Sequence, residues 1–170
     1  MDVALAIASK RDVRVYDPRA LSDDAVTRVL DAGRLSGNAR NAQEWEFVVV
    51  SETADRERLA RAVYSPRNVT GAPLAVAIAI RGGEMQALDA GRAAQNMMLA
   101  AWEEGIVSCP NGIADPAAAA DALRLDPGRR VAVVLSFGYP VRRRDPTRRT
   151  REEWSARARR LPLEQLVRRL

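Results

Sequence analysis

The stretch DAGRAAQNMMLAAWEEGIVSC, residues 89–109, predicts the centre of the fold. Glycine and alanine are interspersed with Met97, Met98 and Trp102, and the pattern extends back to residue 84. We therefore predict one long helix over residues 84–104. So many small residues all round indicate a buried helix with a neighbouring element packed closely against it. After Gly105, residues 106–109 are predicted to form a short strand.

Apolar, β-branched runs outside this segment predict three longer strands, over residues 45–51, 74–80 and 131–137. Helices are predicted over residues 2–9, from an N-cap at Ser22 to about 33, over about 54–63 after Thr53, from Pro116 to about 123, and over 163–170. Residues 65–73 are expected to form a loop, and Thr150-x-x-Glu153 is a capping-box pattern in the tail. Helices and strands interleave, so we predict one α+β domain with a mostly antiparallel or mixed sheet.

The composition excludes several kinds of chemistry. The 170 residues contain no histidine, so Ser-His-Asp and Cys-His catalysis are excluded and no metal site is expected. Such a chain leaves the difficult chemistry to a bound cofactor. Cys109 is the only cysteine, and the first residues lack the basic segment of a signal peptide. We therefore expect a soluble, cytoplasmic protein with no membrane partner.

Charge is distributed unevenly along the chain. The net charge is +5, but residues 142–170 carry eleven arginines against four acids, and residues 1–141 are close to neutral. A basic tail is a motive for nucleic-acid binding, yet acids interrupt it, Trp154 is its one aromatic residue, and no nucleic-acid motif is present. We expect no nucleic-acid partner, and we divide the single domain into a core over 1–141 and a basic extension over 142–170.

Three segments of the core carry groups suited to binding a ligand. The basic run KRDVR, residues 10–14, is either a solvated helix end or a phosphate clamp. Asn41 and Gln43 precede the first strand and are either turn residues or paired amides that read the edge of a polar heterocycle. Around Gly112, the chain forms either a tight Pro-Asn-Gly turn after the strand or a close backbone approach to a ligand.

Four motifs, taken in order, resemble the FMN-dependent nitroreductase family. They are KRDVRVYD at 10–17, VLDAGRLSGNARNAQEWEFVVV at 29–50, the stretch at 89–109 quoted above, and SFGYPV at 136–141 with RRLPLEQLV at 159–167. Each motif is loose by itself, but four in the correct order are specific. The resemblance spans nearly the whole chain.

The resemblance implies a flavin-dependent NAD(P)H oxidoreductase with the fold of an α+β three-layer sandwich, in which helices flank a central sheet. It also implies an intertwined homodimer that binds two FMN molecules at the subunit interface, with the extension 142–170 packed on the partner subunit. NAD(P)H and a small acceptor, a nitroaromatic, a quinone or a related compound, would occupy one pocket in turn. Hydride would pass through flavin N5.

Roles for individual residues follow from the same resemblance. The phosphate and ribityl chain would be bound by two basic segments, which contain Lys10, Arg11, Asp12 and Arg14 near the start and Arg159 and Arg160 in the tail. Asn41 would bond the edge of the flavin ring, with Asn38 nearby and Gln43 bracing the loop. Backbone N–H groups of Asn111, Gly112 and Ile113 would approach flavin N5, so no side chain is assigned as catalytic.

Three features depart from the family pattern. Asp12 stands where the family usually has Ser or Thr, Gly37 and Glu44 replace two prolines, and the usual central insertion is missing. A carboxylate at Asp12 would repel a phosphate unless it pairs with Arg11 or Arg14. The departures keep an alternative open, namely a non-catalytic flavin-binding or flavin-handling protein of the same fold.

Overall fold

A computed structural model describes residues 2–170, which form seven α-helices around one sheet. The helices are α1 Val3–Ser9, α2 Asp23–Arg34, α3 Thr53–Ala60, α4 Pro66–Thr70, α5 Glu84–Glu103, α6 Pro116–Ala122 and α7 Arg151–Arg157. Short 3-10 turns lie at Ala39–Asn41, Pro146–Arg148 and Leu163–Gln165. No helix within residues 2–170 is both long enough and apolar enough to cross a membrane.

The sheet has four strands in the order β1-β2-β4-β3, and every neighbouring pair is antiparallel. The strands are β1 Trp45–Val50, β2 Leu74–Arg81, β3 Val107–Asn111 and β4 Arg129–Gly138. The register places Phe47 opposite Ile78 and Cys109 opposite Ser136. The prediction of an α+β fold with a mostly antiparallel sheet is confirmed.

The central strand β2 explains the three layers. Its large side chains, among them Val76 and Ile78, belong to the cluster that α2 and α5 cover. Its alternate residues Ala75 and Ala77 belong to the cluster on the other face, which α3, α4 and α6 cover. Because both faces are buried, the strand reads as a continuous apolar run instead of alternating with polar residues. Helices on both faces make the predicted three-layer sandwich.

The two helices on the first face approach each other at a glycine. A Cβ atom at Gly33 of α2 would lie 2.2 Å from Cε of Met97 in α5 and 3.1 Å from the ring of Phe47. An ion pair of 2.7 Å also links Arg28 of α2 to Glu104, the residue that follows α5. The prediction that α5 has a closely packed neighbour is confirmed on this face. The opposite face of α5 is exposed. The prediction that every face of this helix is buried is therefore wrong for a single copy of the chain.

Several expected boundaries were wrong. Residues 66–70 form α4 rather than loop, because Pro66 suits the first helical position and Val69 is fully buried. The helix predicted after Thr53 includes that residue, and Glu52 occupies its N-cap position without a side-chain hydrogen bond. The capping box at Thr150 is confirmed, since its hydroxyl accepts from the backbone N–H of Glu153 and the Glu153 carboxylate accepts from that of Thr150.

The last helix and the turn after β3 also differ from expectation. Residues 163–170 form only one 3-10 turn at Leu163–Gln165, and the segment is exposed throughout. A segment this short does not hold a helix without an apolar surface to cover. The expected Pro-Asn-Gly turn is instead the end of β3, with Pro110 opposite Leu135. Proline is tolerated here because β3 is an edge strand, so its missing N–H is not needed for a second neighbour.

Candidate functional site

A cleft of about 1080 Å³ lies where α1, α5, α7 and the end of β3 meet. It contains four cationic and two anionic side chains, together with small and apolar residues from the three helices. The lining residues that bear on its chemistry are Lys10, Arg11, Asp12, Arg151, Glu152 and Arg160. Lys10, Arg11, Asp12 and Arg160 come from the predicted phosphate segments, so the fold brings the two basic segments together. Arg14 and Arg159 are exposed and do not line the cleft.

Hydrogen bonds fix both α1 and the segment that follows it. The Asp2 carboxylate caps α1 by accepting from the backbone N–H of Leu5 at 2.9 Å, and buried Ser9 accepts from the indole N–H of Trp102 at 2.9 Å. Beyond the helix, the backbone N–H of Val13 donates to the carbonyl of Ser108 at 3.0 Å, beside a parallel bridge at Asp12. Residues 10–12 are therefore held between α1 and β3, at the cleft.

Lys10 is nearly buried, with 9% of its side chain exposed. Its ammonium pairs with the carboxylate of Asp12 and lies 3.4 Å from the sulfur of Met98. The expectation that Asp12 needs Arg11 or Arg14 as its partner is wrong, because the lysine beside it takes that place. Lys10 and Asp12 are two positions apart in extended chain, a spacing that directs both side chains to one side.

Arg11 ties the tail to the first helix. Its guanidinium donates to the carbonyl oxygens of Ala8 at 2.7 Å, Lys10 at 2.7 Å and Trp154 at 3.0 Å, and it lies 5.6 Å from the centre of the Trp154 ring. These acceptors are neutral, so the guanidinium keeps its charge while fixing α7 as one wall of the cleft. Sequence reasoning missed this role of Trp154, although the capping box before it marked the helix.

The second carboxylate of the cleft belongs to α7. Glu152 forms an ion pair with Arg151 at 3.1 Å. Hydrogen bonds from its own backbone N–H and from the Thr150 hydroxyl lower the pKa of the Glu152 carboxyl, so it stays ionised near neutral pH. The cleft thus combines four positive and two negative charges, a balance that favours an anionic ligand.

The amide loop, residues 36–43, lies at the N-terminal half of α5. Its backbone has positive φ at Arg40, Asn41 and Gln43, at 56°, 54° and 52°. The Asn38 side-chain oxygen accepts from the backbone N–H of Gln43 at 2.9 Å, and Asn41 and Gln43 are exposed. The left-handed backbone gives both residues the turn role. The Gln43 amide donates to the Asn41 carbonyl at 3.4 Å and so braces the loop, while the exposed amide of Asn41 is available to a ligand.

The third segment with a predicted ligand contact, residues 111–113, contains a buried side chain at Asn111 and an exposed backbone at Gly112. The side chain of Asn111 is 3% exposed and donates to the carbonyl oxygens of Cys109 and Val134, at 3.0 and 3.1 Å. Gly112 is exposed, and its carbonyl accepts from the backbone N–H of Tyr64 at 3.1 Å. Ile113 forms a bridge with Val63. Asn111 therefore fixes the backbone from inside, and its own side chain is not available to a ligand.

Within a single chain, the amide loop does not lie at the cleft. The loop contacts α5 at Asp89, whose carboxylate accepts from the backbone N–H of Ala39 at 2.9 Å. Lys10 contacts α5 at Met98. The two α5 residues are nine positions apart, about 2.5 turns, and so lie on opposite sides of the helix. Of the residues described, Asn38, Asn41 and Gln43 are absent from the cleft lining, as are 111–113.

Within residues 2–170 there is no group of three or more Cys, Asp or Glu side chains placed to hold a metal ion. The ionisable groups of the cleft are those of an anion site. Small residues widen it, since four alanines line the helices around the charged groups. The volume and charge suit a ligand with a phosphate at one end.

Known proteins resemble this chain in sequence. An Archaeoglobus fulgidus protein, named provisionally as an NADH dehydrogenase/NAD(P)H nitroreductase, is 29% identical over 167 residues, covering 87% of this chain and 96% of that protein. A profile of the nitroreductase family matches residues 7–81 and 66–139, which together include the basic segment 10–14, the amide loop and all four strands.

Solved structures share the fold. A nitroreductase family protein from Clostridium difficile 630 has a TM-score of 0.83 at 22% identity and covers 99% of this chain and 98% of its own. An FMN-dependent nitroreductase from Clostridium difficile R20291 has a TM-score of 0.77 at 22% identity, covering 82% of this chain and 88% of its own. Since the family profile spans most of the sequence, the chain belongs to the nitroreductase family of oxidoreductases.

Proposed function

We propose that this chain is an FMN-dependent NAD(P)H oxidoreductase that transfers hydride to a nitroaromatic, a quinone or a related small acceptor. The observation that carries the proposal is the cleft, in which Lys10, Arg11 and Arg160 converge from opposite ends of the sequence. The relatives support the same assignment, since one is named for NAD(P)H nitroreductase activity and another for FMN dependence.

The cleft residues fit the phosphate end of FMN. Lys10 and Arg160 provide cations at the cleft, and Arg11 adds charge while its hydrogen bonds hold α7 in place. Lysine and arginine are the side chains that most often bind phosphate in proteins. Bound FMN supplies the hydride chemistry, so the absence of histidine from the chain is no obstacle.

The end of β3 is proposed to support the reacting edge of the flavin. Pro110 lines the cleft, and the next residues, 111–113, lead away from it. The buried side chain of Asn111 anchors this backbone to β4 through the Val134 carbonyl. An anchored backbone orients its N–H groups without reorganisation when a ligand binds, which is the property that electrostatic stabilisation requires.

A second copy of the chain is proposed to complete the site. Asn41 and Gln43 of the amide loop are exposed, but the loop lies on the other side of α5 from Met98. The loop of a second copy would therefore supply Asn38, Asn41 and Gln43 to the flavin edge. The exposed face of α5, with Leu88 at 61% exposure, is a surface for that contact. In the extension, α7 packs on its own chain, whereas residues 161–170 are exposed and are proposed to pack on the second copy.

A non-catalytic flavin-binding protein is the second candidate, and one observation favours it. Asp12 stands inside the cleft and neutralises Lys10, which weakens the attraction for a phosphate. The two candidates predict different responses of bound flavin to a reductant.

The lone, buried Cys109 favours the proposal that the protein works in the cytoplasm.

The test of function is the visible absorption spectrum. Purified protein incubated with FMN and freed of excess should retain the flavin bands near stoichiometric occupancy. Anaerobic NADH or NADPH should then bleach those bands, and a nitroaromatic or a quinone should restore them. Protein that stays colourless contradicts both candidates. Bound flavin that neither nucleotide reduces contradicts the oxidoreductase and supports the non-catalytic protein.

A further inference from the structure

Lys10 is the only lysine in a chain that otherwise uses arginine for its positive side chains. It is also nearly buried, with 9% of its side chain exposed, although lysine normally keeps its ammonium in water. A desolvated ammonium requires an anionic partner. In the chain itself, that partner is the carboxylate of Asp12, whose side chain is 45% exposed at the cleft.

The other charges of the cleft make the Lys10–Asp12 pair important for the attraction of a phosphate. Arg151 already has a carboxylate partner in Glu152, at 3.1 Å. Arg11 donates to carbonyl oxygens and is committed to holding α7. Arg151 is neutralised by Glu152 and the donors of Arg11 are taken by carbonyl oxygens, so Lys10 and Arg160 remain to bind a phosphate. The pairing of Lys10 with Asp12 therefore affects how strongly the cleft attracts that phosphate.

We propose that Asp12 is a specificity-determining residue of the cleft: its carboxylate pairs with Lys10 in competition with a ligand phosphate, and so reduces the preference for a phosphorylated flavin over the same flavin without phosphate. The proposal rests on the assignment of this cleft to FMN. It concerns selectivity between ligands and assigns Asp12 no part in the chemistry.

Backbone contacts keep the competitor in place. The bridge between Asp12 and Ser108, and the hydrogen bond from the backbone N–H of Val13 to the Ser108 carbonyl, hold the segment against β3. The backbone of Asp12 therefore stays beside the cleft when a phosphate enters, so its carboxylate remains within reach of Lys10 and close to the incoming anion. Like charges at short range in a partly desolvated cleft repel appreciably. A flavin without phosphate experiences neither the attraction of Lys10 nor this repulsion.

The experiment compares FMN with riboflavin, which has the same ring and ribityl chain but no phosphate. Dissociation constants of both are measured by flavin fluorescence for the native chain, for Asp12→Asn and for the control Asp55→Asn. The control removes an equal charge, paired with Arg58, from α3 on the other side of the sheet. Asn keeps the shape of Asp, and position 12 is exposed, so the variant is expected to fold.

The ratio of the riboflavin constant to the FMN constant should rise about tenfold in Asp12→Asn. The riboflavin constant itself should change less than twofold, and Asp55→Asn should behave as the native chain. A ratio that stays within twofold of the native value, or that falls, overturns the proposal while leaving the assignment to FMN intact. If neither flavin binds any of the three proteins, the proposed function fails together with the inference.

Lys10 gives a second, independent readout. Because it is the only lysine, protein labelled with 13C at the lysine ε position has one lysine resonance. Asp12→Asn should shift this resonance in the free protein, and FMN should shift it in both proteins, whereas riboflavin should leave it unchanged. If bound FMN leaves the resonance in place, the phosphate does not meet Lys10 and the proposal is wrong.

Discussion

Four buried side chains form a hydrogen-bonded network beneath the end of β3. The hydroxyls of Tyr16 and Ser136 are 2.8 Å apart, and Asn111 donates to the Ser136 oxygen at 3.2 Å. Asn68 of α4 donates in turn to the Asn111 side-chain oxygen at 2.9 Å. Each group has a partner, which is the condition under which a buried polar network stabilises a unique structure. The network fixes the backbone proposed to meet the flavin.

Tyr16 makes the network sensitive to high pH. Burial raises the pKa of the Tyr16 hydroxyl well above its ordinary value, against the opposing effect of the hydrogen bond to Ser136. The folded protein therefore favours the neutral phenol. This contribution is complete below about pH 10, where the unfolded phenol begins to ionise, and it declines as the pH rises further.

The expected result is a loss of unfolding free energy of about 1.4 kcal/mol for each pH unit above about 10, beyond any loss shared with Tyr16→Phe. Near neutral pH, Tyr16→Phe should cost about 1 kcal/mol, because Ser136 keeps its hydrogen bond from Asn111. Urea unfolding of both proteins from pH 7 to 11 measures the difference. Parallel pH profiles would show that Tyr16 ionises in the folded protein as it does in the unfolded chain.

At the scale of elements, α5 has two different faces. One face packs on α2 and the sheet, and includes fully buried Met97. The other face carries Leu88, Gly91 and Gln95, at the i, i+3 and i+7 positions of one stripe, and all three are exposed. Apart from the adjacent residues and the backbone of its own helix, a Cβ at Gly91 would meet no atom of this chain within 4 Å. Small and apolar residues without a partner are typical of a surface that another chain covers.

Charge placed on this stripe should therefore separate the proposed dimer without unfolding the chain. Leu88→Glu and Gly91→Arg are expected to give the mass of one chain in sedimentation at micromolar concentration, where the native protein gives the mass of two. Ala117→Glu, on the exposed surface of α6 beyond the opposite face of the sheet, is the matched control and should remain dimeric. Dimeric Leu88→Glu and Gly91→Arg would place any interface elsewhere.

The elements differ in how well the sequence predicted them. β2 was predicted at 74–80 and observed at Leu74–Arg81, because an uninterrupted apolar run has few alternatives to a buried strand. Helix α4 was missed, since Pro66 is as common in turns as at a helix start, and only burial of Val69 decides between them. The end of β3 was missed because the tolerance for Pro110 depends on the edge position of the strand.

At the scale of the whole molecule, the sequence motifs predicted that two basic segments and the amide loop contribute to one site, but not how one chain arranges these segments. The two basic segments meet because Arg11 binds the Trp154 carbonyl, a contact across 143 positions that no local pattern contains. The amide loop lies apart because its contact at Asp89 and the Lys10 contact at Met98 fall on opposite sides of α5. Exposure of residues 161–170 likewise depends on what the rest of the chain leaves uncovered.

The central claim is that the cleft of one copy and the amide loop of another bind one FMN together. Two variants test it, each damaging one half of the site. Lys10→Met removes the cleft ammonium and leaves the contacts of Arg11 in place. Asn41→Gly removes the amide and suits the positive φ at that position. Differently tagged chains of the two variants are expressed together, and the mixed dimer is purified through both tags.

In a shared site, the mixed dimer contains one intact site and one doubly damaged site. It should therefore bind one FMN per pair of chains with native affinity, whereas dimers of either variant alone bind FMN at least about tenfold more weakly. Flavin fluorescence titration counts the tight sites directly. A mixed dimer with no tight site would show that each chain binds FMN by itself, and tight binding by both single variants would show that Lys10 and Asn41 do not hold the flavin.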